Sequence, residues 1–247
     1  MSDIVHDHFT ARAERYNESS KWVSDPELGA RMVEVLDAGP DAHVLDVACG
    51  TGLVSCHFTG KVGRITGFDL TDAMAEQAAP YIDELVMGRA EDMPFEDDTF
   101  DRIICRQGTQ FMDDAAAIGE MFRVLKPGGR VLIVNLCAYG EEDKEEYYEI
   151  LRWRNPARKN FYLREDHVRL LEGAGFEQVV VHDYISIEDV DAWSDNGAIE
   201  ESRREAIRDV YRNASEAFNR LHSARSDDGS RFFDHMLFGL ATGVKPA

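Results

Sequence analysis

Two aspartates and two glycines carry the clearest chemistry in this chain. Asp46 sits in the apolar run Val44-Leu45-Asp46-Val47, and Ala48-Cys49-Gly50-Thr51-Gly52 follows directly. A carboxylate at the end of a buried strand costs free energy unless its charge is used. Two glycines after such a strand let the backbone approach a ligand closely. A helix beginning in Leu53 to Phe58 would add unpaired N–H groups facing electron-rich ligand atoms. The second acid, Asp69, closes the run Val62 to Asp69, about twenty residues on. In a right-handed strand–helix–strand unit it lies at the carboxyl end of the neighbouring strand, within reach of a ribose diol. Asp69 also reads as the N-cap of the turn Asp69 to Thr71, although Thr71 can take that place and leave Asp69 free. The dinucleotide fingerprint is a poor match, because it puts glycine first and a third glycine at the helix start.

Alternating elements position these groups. Ser2 to Ser20 shows Val5, Phe9, Ala13 and Tyr16 at helical spacing. Asp25 and Pro26 form an N-cap and first helical residue, and that helix stops at Gly39-Pro40. Strands are expected at Val44 to Val47, Val62 to Asp69, Glu84 to Met87, Arg102 to Arg106, Arg130 to Asn135, Gln178 to Val181 and Phe232 to Val244. Helices are expected from Asp114 to the breaker Lys126-Pro127-Gly128-Gly129, from Leu163 to Ala174, and from Ile187 to Ala224. No repeat or low-complexity linker interrupts the 247 residues, so one domain is expected.

Composition narrows the function. The net charge of −20 disfavours a nucleic-acid substrate, whose phosphates it repels. No apolar run is long enough to span a membrane. Met1 to Thr10 is polar and does not read as a signal peptide. Cys49, Cys56, Cys105 and Cys137 lack paired metal spacing and read as reduced thiols, which fits a cytoplasmic protein without a metal centre.

Asp-Val-Ala-Cys-Gly-Thr-Gly, from Asp46 to Gly52, resembles the first motif of class I S-adenosylmethionine-dependent methyltransferases, in particular the ubiquinone/menaquinone-biosynthesis-like group of small-molecule enzymes. Gly88-Arg89-Ala90-Glu91-Asp92-Met93-Pro94-Phe95 is similar to that family's adenine loop. Leu-Lys-Pro-Gly-Gly at 125–129 is a second marker. Phe9, Ala13, Tyr16 and Asn17 resemble its N-terminal F-x-x-x-A-x-x-Y-[DN] signature. The resemblance runs from Phe9 to Phe176 and is strongest from Val44 to Val134. It implies a Rossmann-like α/β fold of seven strands, six parallel and the last antiparallel. N-terminal helices and a helical insert between strands six and seven would form a lid. It divides the chain into a cover (1–40), a cofactor-binding core (41–138) and an acceptor-side half (139–247).

The resemblance further implies S-adenosyl-L-methionine as cofactor and S-adenosyl-L-homocysteine as product. The cofactor-binding residues it implies are Tyr16, Asp46, Ala48, Gly50, Gly52, Asp69, Leu70, Met74, Arg106 and Gln107, with Glu91, Asp92 and Met93 near the adenine. Many relatives carry a C-x-x-x-L-H-H stretch after the fourth strand, whereas this chain has Thr109-Gln110-Phe111. Gln110 can position an acceptor by hydrogen bonding but cannot take its proton. By analogy with the family, His6, His8 and Tyr16 remain as candidate bases, and His57 and His167 read as packing residues. Gln110, Tyr139 and Arg154 are candidates for the acceptor side. The basic stretch Arg152 to Asn160 reads either as an anion-binding segment or as a solvated helix end paired with Glu141 to Glu146. The expected function is methyl transfer to a small O-, C-, N- or S-nucleophile, and a homodimer is compatible with the sequence. The alternatives are other chemistry on the same fold and a non-catalytic partner subunit.

Overall fold

The computed structural model describes residues 4–13, 17, 21–226 and 231–247. Strands β1 (His43–Val47), β2 (Arg64–Asp69), β3 (Glu84–Met87), β4 (Phe100–Arg106), β5 (Leu125–Cys137), β6 (Glu177–Asp189), β7 (Arg225–Ser226) and β8 (Phe232–Val244) form one sheet. Its order is β3-β2-β1-β4-β5-β8-β6, with β7 paired to β8. β1 lies parallel to β2 and β4, and β5 parallel to β4, whereas β8 runs antiparallel to both β5 and β6. The strand order therefore reverses at β1/β4. In open α/β sheets that is where a crevice forms beyond the carboxyl ends of the strands.

Side-chain alternation along the central strands divides the core. Val44, Ile104, Leu132 and Val134 face one apolar layer, with Leu28 and Met32 of α2 (Pro26–Leu36) and Tyr147 and Ile150 of α5 (Lys144–Arg154). Leu45, Ile103, Val131 and Ile133 face the other, with Ile118 and Met121 of α4 (Asp114–Val124) and Leu171 of α6 (Arg164–Gly173). Both faces are covered, which explains why these strands read as nearly continuous apolar runs. The remaining helices are α1 (Ile4–Arg12), α3 (Asp72–Ala75), α7 (Val190–Ser194), α8 (Glu201–Arg212) and α9 (Glu216–Leu221).

Asp25 caps α2 as expected, its Oδ1 accepting from Glu27 N at 2.9 Å. That helix ends at Leu36 rather than at Gly39, because Asp37 takes the left-handed conformation (φ 51°) and closes it.

Four other elements depart from expectation. The helix opening at Leu53 is a single 3₁₀ turn, Ser55–His57. The Ser55 hydroxyl is turned back to Asp46, its carbonyl accepts from Thr59 Oγ1, and Gly60 (φ 75°) ends the turn. The Lys126–Gly129 breaker does not precede β5 but lies inside it, where the register with β4 shifts between Phe100 and Arg102. Gly128 N and Gly129 O bond to Lys245, so the sheet absorbs the irregularity as a bulge. β6 continues eight residues past Val181 because β8 supplies a partner along its whole length. The helix expected over Ile187 to Ala224 is three pieces. Asp189 caps α7, Gly197 (φ 77°) separates α7 from α8, and Ser215 caps α9 at Phe218 N.

Candidate active site

β1, β2 and β4 end together at the reversal point. β1 passes through Ala48 (φ 57°) and Gly50 (φ 52°), and β4 passes through Gln107 (φ 56°). Two non-glycine residues in the left-handed region, on adjacent strand ends, mark a place where the fold holds strained backbone. A cleft enclosing about 710 Å³, its open mouth included, lies over them. That volume suits a nucleoside-sized ligand. Glycine keeps the floor low: a Cβ on Gly108 would lie 2.7 Å from Cys105 Sγ and 2.8 Å from Ala48 Cβ.

Asp69 forms one wall and is not free. Its Oδ2 accepts from Gly50 N and its Oδ1 from Thr71 N, both at 2.8 Å. Thr71 takes the N-cap position of α3 without a side-chain cap bond, and the Asp69 carboxylate closes the turn that leads into it. Both bonds come from main chain, so the acid ties the glycine loop to the end of β2. Burial pushes the Asp69 carboxyl up, and these backbone N–H groups pull it down. A carboxylate offers about four lone-pair sites, so acceptor capacity toward the cleft remains.

Asp46 lies beneath the loop, not on the cleft wall. Its Oδ2 accepts from Ser55 Oγ at 2.6 Å, while Oδ1 is buried without a hydrogen bond. Burial pushes it up to about 7, against the Ser55 hydrogen bond and the Arg106 charge.

Ala48, Gly50, Leu70, Met74, Glu91, Arg106 and Gln107 line the cleft with Asp69. Glu91 Oε1 also accepts from Asp113 N at 3.1 Å, which fixes it to the start of α4. Gly52 shapes the turn from behind, where a Cβ would lie 2.9 Å from Ala78 Cα. Asp92 is exposed and off the cleft. Met93 is buried in the core below, its N–H donating to Glu120 Oε2. The N-terminal segment closes the top: Val5 and Phe9 line the cleft, Phe9 meets Phe111 edge-on at 5.0 Å, and Thr51 Oγ1 donates to Asn17 Oδ1 at 2.6 Å. Tyr16 lies outside the described residues. His8 is buried against Phe9 but does not line the cleft.

A second cavity of about 380 Å³ adjoins the first and shares Phe9, Gln107 and Phe111 with it. Gln110 and Arg154 line it, as do Trp22, Asn155 and Arg158, which sequence reasoning did not place. Gln110 Nε2 donates to Gln107 Oε1 at 2.7 Å, and Arg154 Nε donates to the Trp193 carbonyl at 3.0 Å. Arg154 is buried, with its guanidinium 4.4 Å from the Trp193 ring centre, so this end of α5 is no solvated helix end. Asn155 and Arg158 stand in the basic stretch already visible in the sequence, and nothing local marks Trp22. Tyr139 is elsewhere: its hydroxyl donates to the His235 carbonyl and its ring abuts His222. His167 is a core residue beside Asn135, pushed down to about 4 by burial. His57 covers Gly29, where a Cβ would come within 2.1 Å of its ring. Among the described residues no helix is long and apolar enough to cross a membrane, and no cluster of metal-ligating side chains occurs.

The donor set fits the cofactor the sequence motifs imply. A carboxylate with spare lone pairs, able to accept from a diol, borders the cleft, the low glycine floor admits a chain beside the loop, and the buried Asp46 Oδ1 has no internal donor. Residues 45–133 match a family model described as a methyltransferase domain. The uncharacterized methyltransferase YcgJ of Bacillus subtilis is 29% identical over 195 residues, covering 75% of this chain and 73% of that protein. Its crystal structure superposes with a TM-score of 0.81 at 23% identity, over 90% of this chain and 99% of that one. A demethylmenaquinone methyltransferase of Desulfitobacterium hafniense is 32% identical over 148 residues, 54% of this chain and 58% of that protein. With the strand order, the acid at the tip of β2 and the glycine loop already in place, these likenesses support an enzyme of the class I S-adenosylmethionine-dependent methyltransferase type, with a methyltransferase domain over residues 45–133.

Proposed function

We propose that this enzyme methylates a nucleophile on a small organic acceptor seated in the second cavity, with S-adenosylmethionine in the first. The observation that supports this most is the arrangement of Asp69 and the left-handed Ala48–Gly50 loop around one cleft that opens onto a second, polar cavity. Bound there, the cofactor supplies an electrophilic methyl group on a sulfonium, which an aligned nucleophile displaces in line. Asp69 would hold the ribose hydroxyls with its remaining lone pairs. Gly50 and Gly108 would let the backbone approach, and Leu70 and Met74 would pack against the nucleoside. Asp46, through its unpaired Oδ1 and by way of the loop above it, would favour the positive end of the methionine part.

The described residues lining the two cavities include no histidine, lysine, tyrosine or cysteine. Gln110 and Gln107 would orient the acceptor by hydrogen bonds, with Phe9 and Phe111 excluding water from the junction. On this reading the acceptor brings a nucleophile that ionises readily or needs no proton removed. The residues 1–247 would act as one catalytic domain, with the N-terminal segment as cover.

Calorimetric titration of the full chain with S-adenosylmethionine and separately with NAD tests the reading. The first binds and the second does not, and Asp69→Asn weakens the first at least tenfold, about 1.4 kcal/mol. Equal binding of NAD, or undiminished binding by the variant, would refute it.

A further inference from the structure

The second cavity has an unusual balance of polar groups. Gln110 Oε1, Gln107 Nε2 and Asn155 Nδ2 are buried there without hydrogen bonds, and Gln110 and Asn155 are only 1% and 3% exposed. Reversing both glutamine amides leaves one donor and one acceptor between them, as before. Arg158 adds further donors, so donors outnumber acceptors at this wall. Trp22, Leu136 and Leu151 supply apolar walls for a hydrocarbon or aromatic body.

Three arginines of the two cavities, Arg106 in the first and Arg154 and Arg158 in the second, differ in their counter-charges. Arg106 acts on buried Asp46, and Arg154 acts on buried Glu188. Among the described residues the Arg158 guanidinium donates only to the Asn160 carbonyl, at 3.3 Å, and lies 5.5 Å from the Phe161 ring centre. Among the described residues no carboxylate pairs with it. The groups that act on it, Tyr147, Tyr162, Cys137 and Tyr148, are phenols and a thiol, neutral near pH 7 already at their ordinary values and pushed further up by burial. Burial lowers Arg158 to about 10, so it stays a cation at neutral pH. A half-buried cation without a counter-charge at a cavity wall is costly to keep, and an anionic ligand would relieve that cost.

We infer that the methyl acceptor carries an anionic oxyacid group, received by Arg158 with Asn155 and the glutamine pair, and that its one hydrogen-bond donor meets Gln110 or Gln107. The inference rests on the methyl-transfer reading of the adjoining cleft. It makes Arg158 the residue that selects charged acceptors over neutral ones of the same shape. Guanidinium geometry matches carboxylate and phosphate alike.

The test uses the full chain saturated with S-adenosylhomocysteine. 4-Hydroxybenzoate, its neutral isostere 4-hydroxybenzamide, phenyl phosphate and inorganic phosphate are titrated by calorimetry. At least one anion binds, and 4-hydroxybenzoate binds at least tenfold tighter than the amide. Arg158→Gln removes at least tenfold of anion affinity and leaves S-adenosylhomocysteine affinity within twofold. Carboxylate against phosphate affinity then identifies the oxyacid. Binding of the amide as tight as that of the carboxylate, undiminished anion binding by Arg158→Gln, or no binding of any of the anions would each overturn the inference. The carboxylate–amide comparison stands on the unmodified protein and does not depend on the variant folding. Failure of S-adenosylhomocysteine to bind would count against the methyl-transfer reading itself, whereas its binding without anion selectivity would sink only the acceptor assignment.

Discussion

His222 should make the stability of this protein fall steeply on the alkaline side of neutrality. The imidazole is fully buried, with Nδ1 2.8 Å from Asp234 Oδ1 and Nε2 3.0 Å from Asp143 Oδ2. The Tyr211 hydroxyl donates to Asp234 at 2.6 Å, and Asp143 also accepts from the backbone N–H groups of Tyr139 and Gly140. Phe218 stacks on the ring at 3.9 Å, and Tyr139 and Tyr147 close its other sides. One imidazolium thus joins the loop before α5, the end of α9 and strand β8. Burial pulls the His222 pKa down, but the two carboxylates outweigh it and raise it to about 9. A base whose folded pKa is raised stabilises the fold fully below its unfolded pKa of about 6.5 and loses that contribution as pH rises through about 9. Across this window the folded state holds one extra proton, a slope of about −1.4 kcal/mol per pH unit and a total of about 3 kcal/mol. In a chain of this length that lowers the melting temperature by roughly 6–12 °C. His222→Gln leaves two buried carboxylates without their cation and costs about 3–5 kcal/mol at pH 6.5. The assay is urea unfolding followed by circular dichroism from pH 6 to 10 for both proteins. Surface groups titrate equally in both, so the difference between the curves isolates the network. Parallel curves from pH 6.5 to 9, with no convergence, would refute the reasoning.

Two further outcomes follow from the glycine loop. Asp46 has a folded pKa raised to about 7 by burial, so the folded state binds a proton more tightly than the unfolded chain between about pH 4 and 7. Asp46→Asn keeps an acceptor for Ser55 and raises the stability of the ligand-free protein by as much as about 4 kcal/mol at pH 8, an advantage that vanishes below pH 4. Thermal melts at both pH values check this, and equal gains at both would contradict it. Gly52→Ala places a Cβ against the Ala78 backbone at φ 78° and costs roughly 2–4 kcal/mol, whereas Gly119→Ala, in the middle of α4 with open space around it, gains about 0.5–1 kcal/mol. Chemical denaturation of the two variants separates these cases, and a Gly52→Ala variant as stable as Gly119→Ala would show the loop geometry to be wrong.

Local residue patterns were enough to place the sheet and the end of it that carries the first cleft. Alternating apolar strands and breaker residues are local signals, so β1, β3 and β8 were legible almost to the residue. The glycine loop and Asp69 were legible too, because a strand end, a tight turn and an acid on the neighbouring strand are close in sequence as well as in space. Boundaries failed where a distant partner overrode the local signal. β8 holds β6 extended to Asp189, and β4 and Lys245 absorb the Pro127-Gly128-Gly129 breaker into β5. The second cavity was least legible, for the same reason. Trp22, Gln110 and Arg158 meet only through long-range packing, where Lys159 N and Asn160 N donate to the Gln110 carbonyl, and burial of Arg154 against Trp193 removes the solvated reading of the basic stretch. The Asp143–His222–Asp234 network has no local signature at all, since its members stand 79 and 12 residues apart and act only where packing removes the water between them. Pattern and turn chemistry fix which elements form, while desolvation, and with it the worth of every charge in the interior, is set by what the folded chain places around each group.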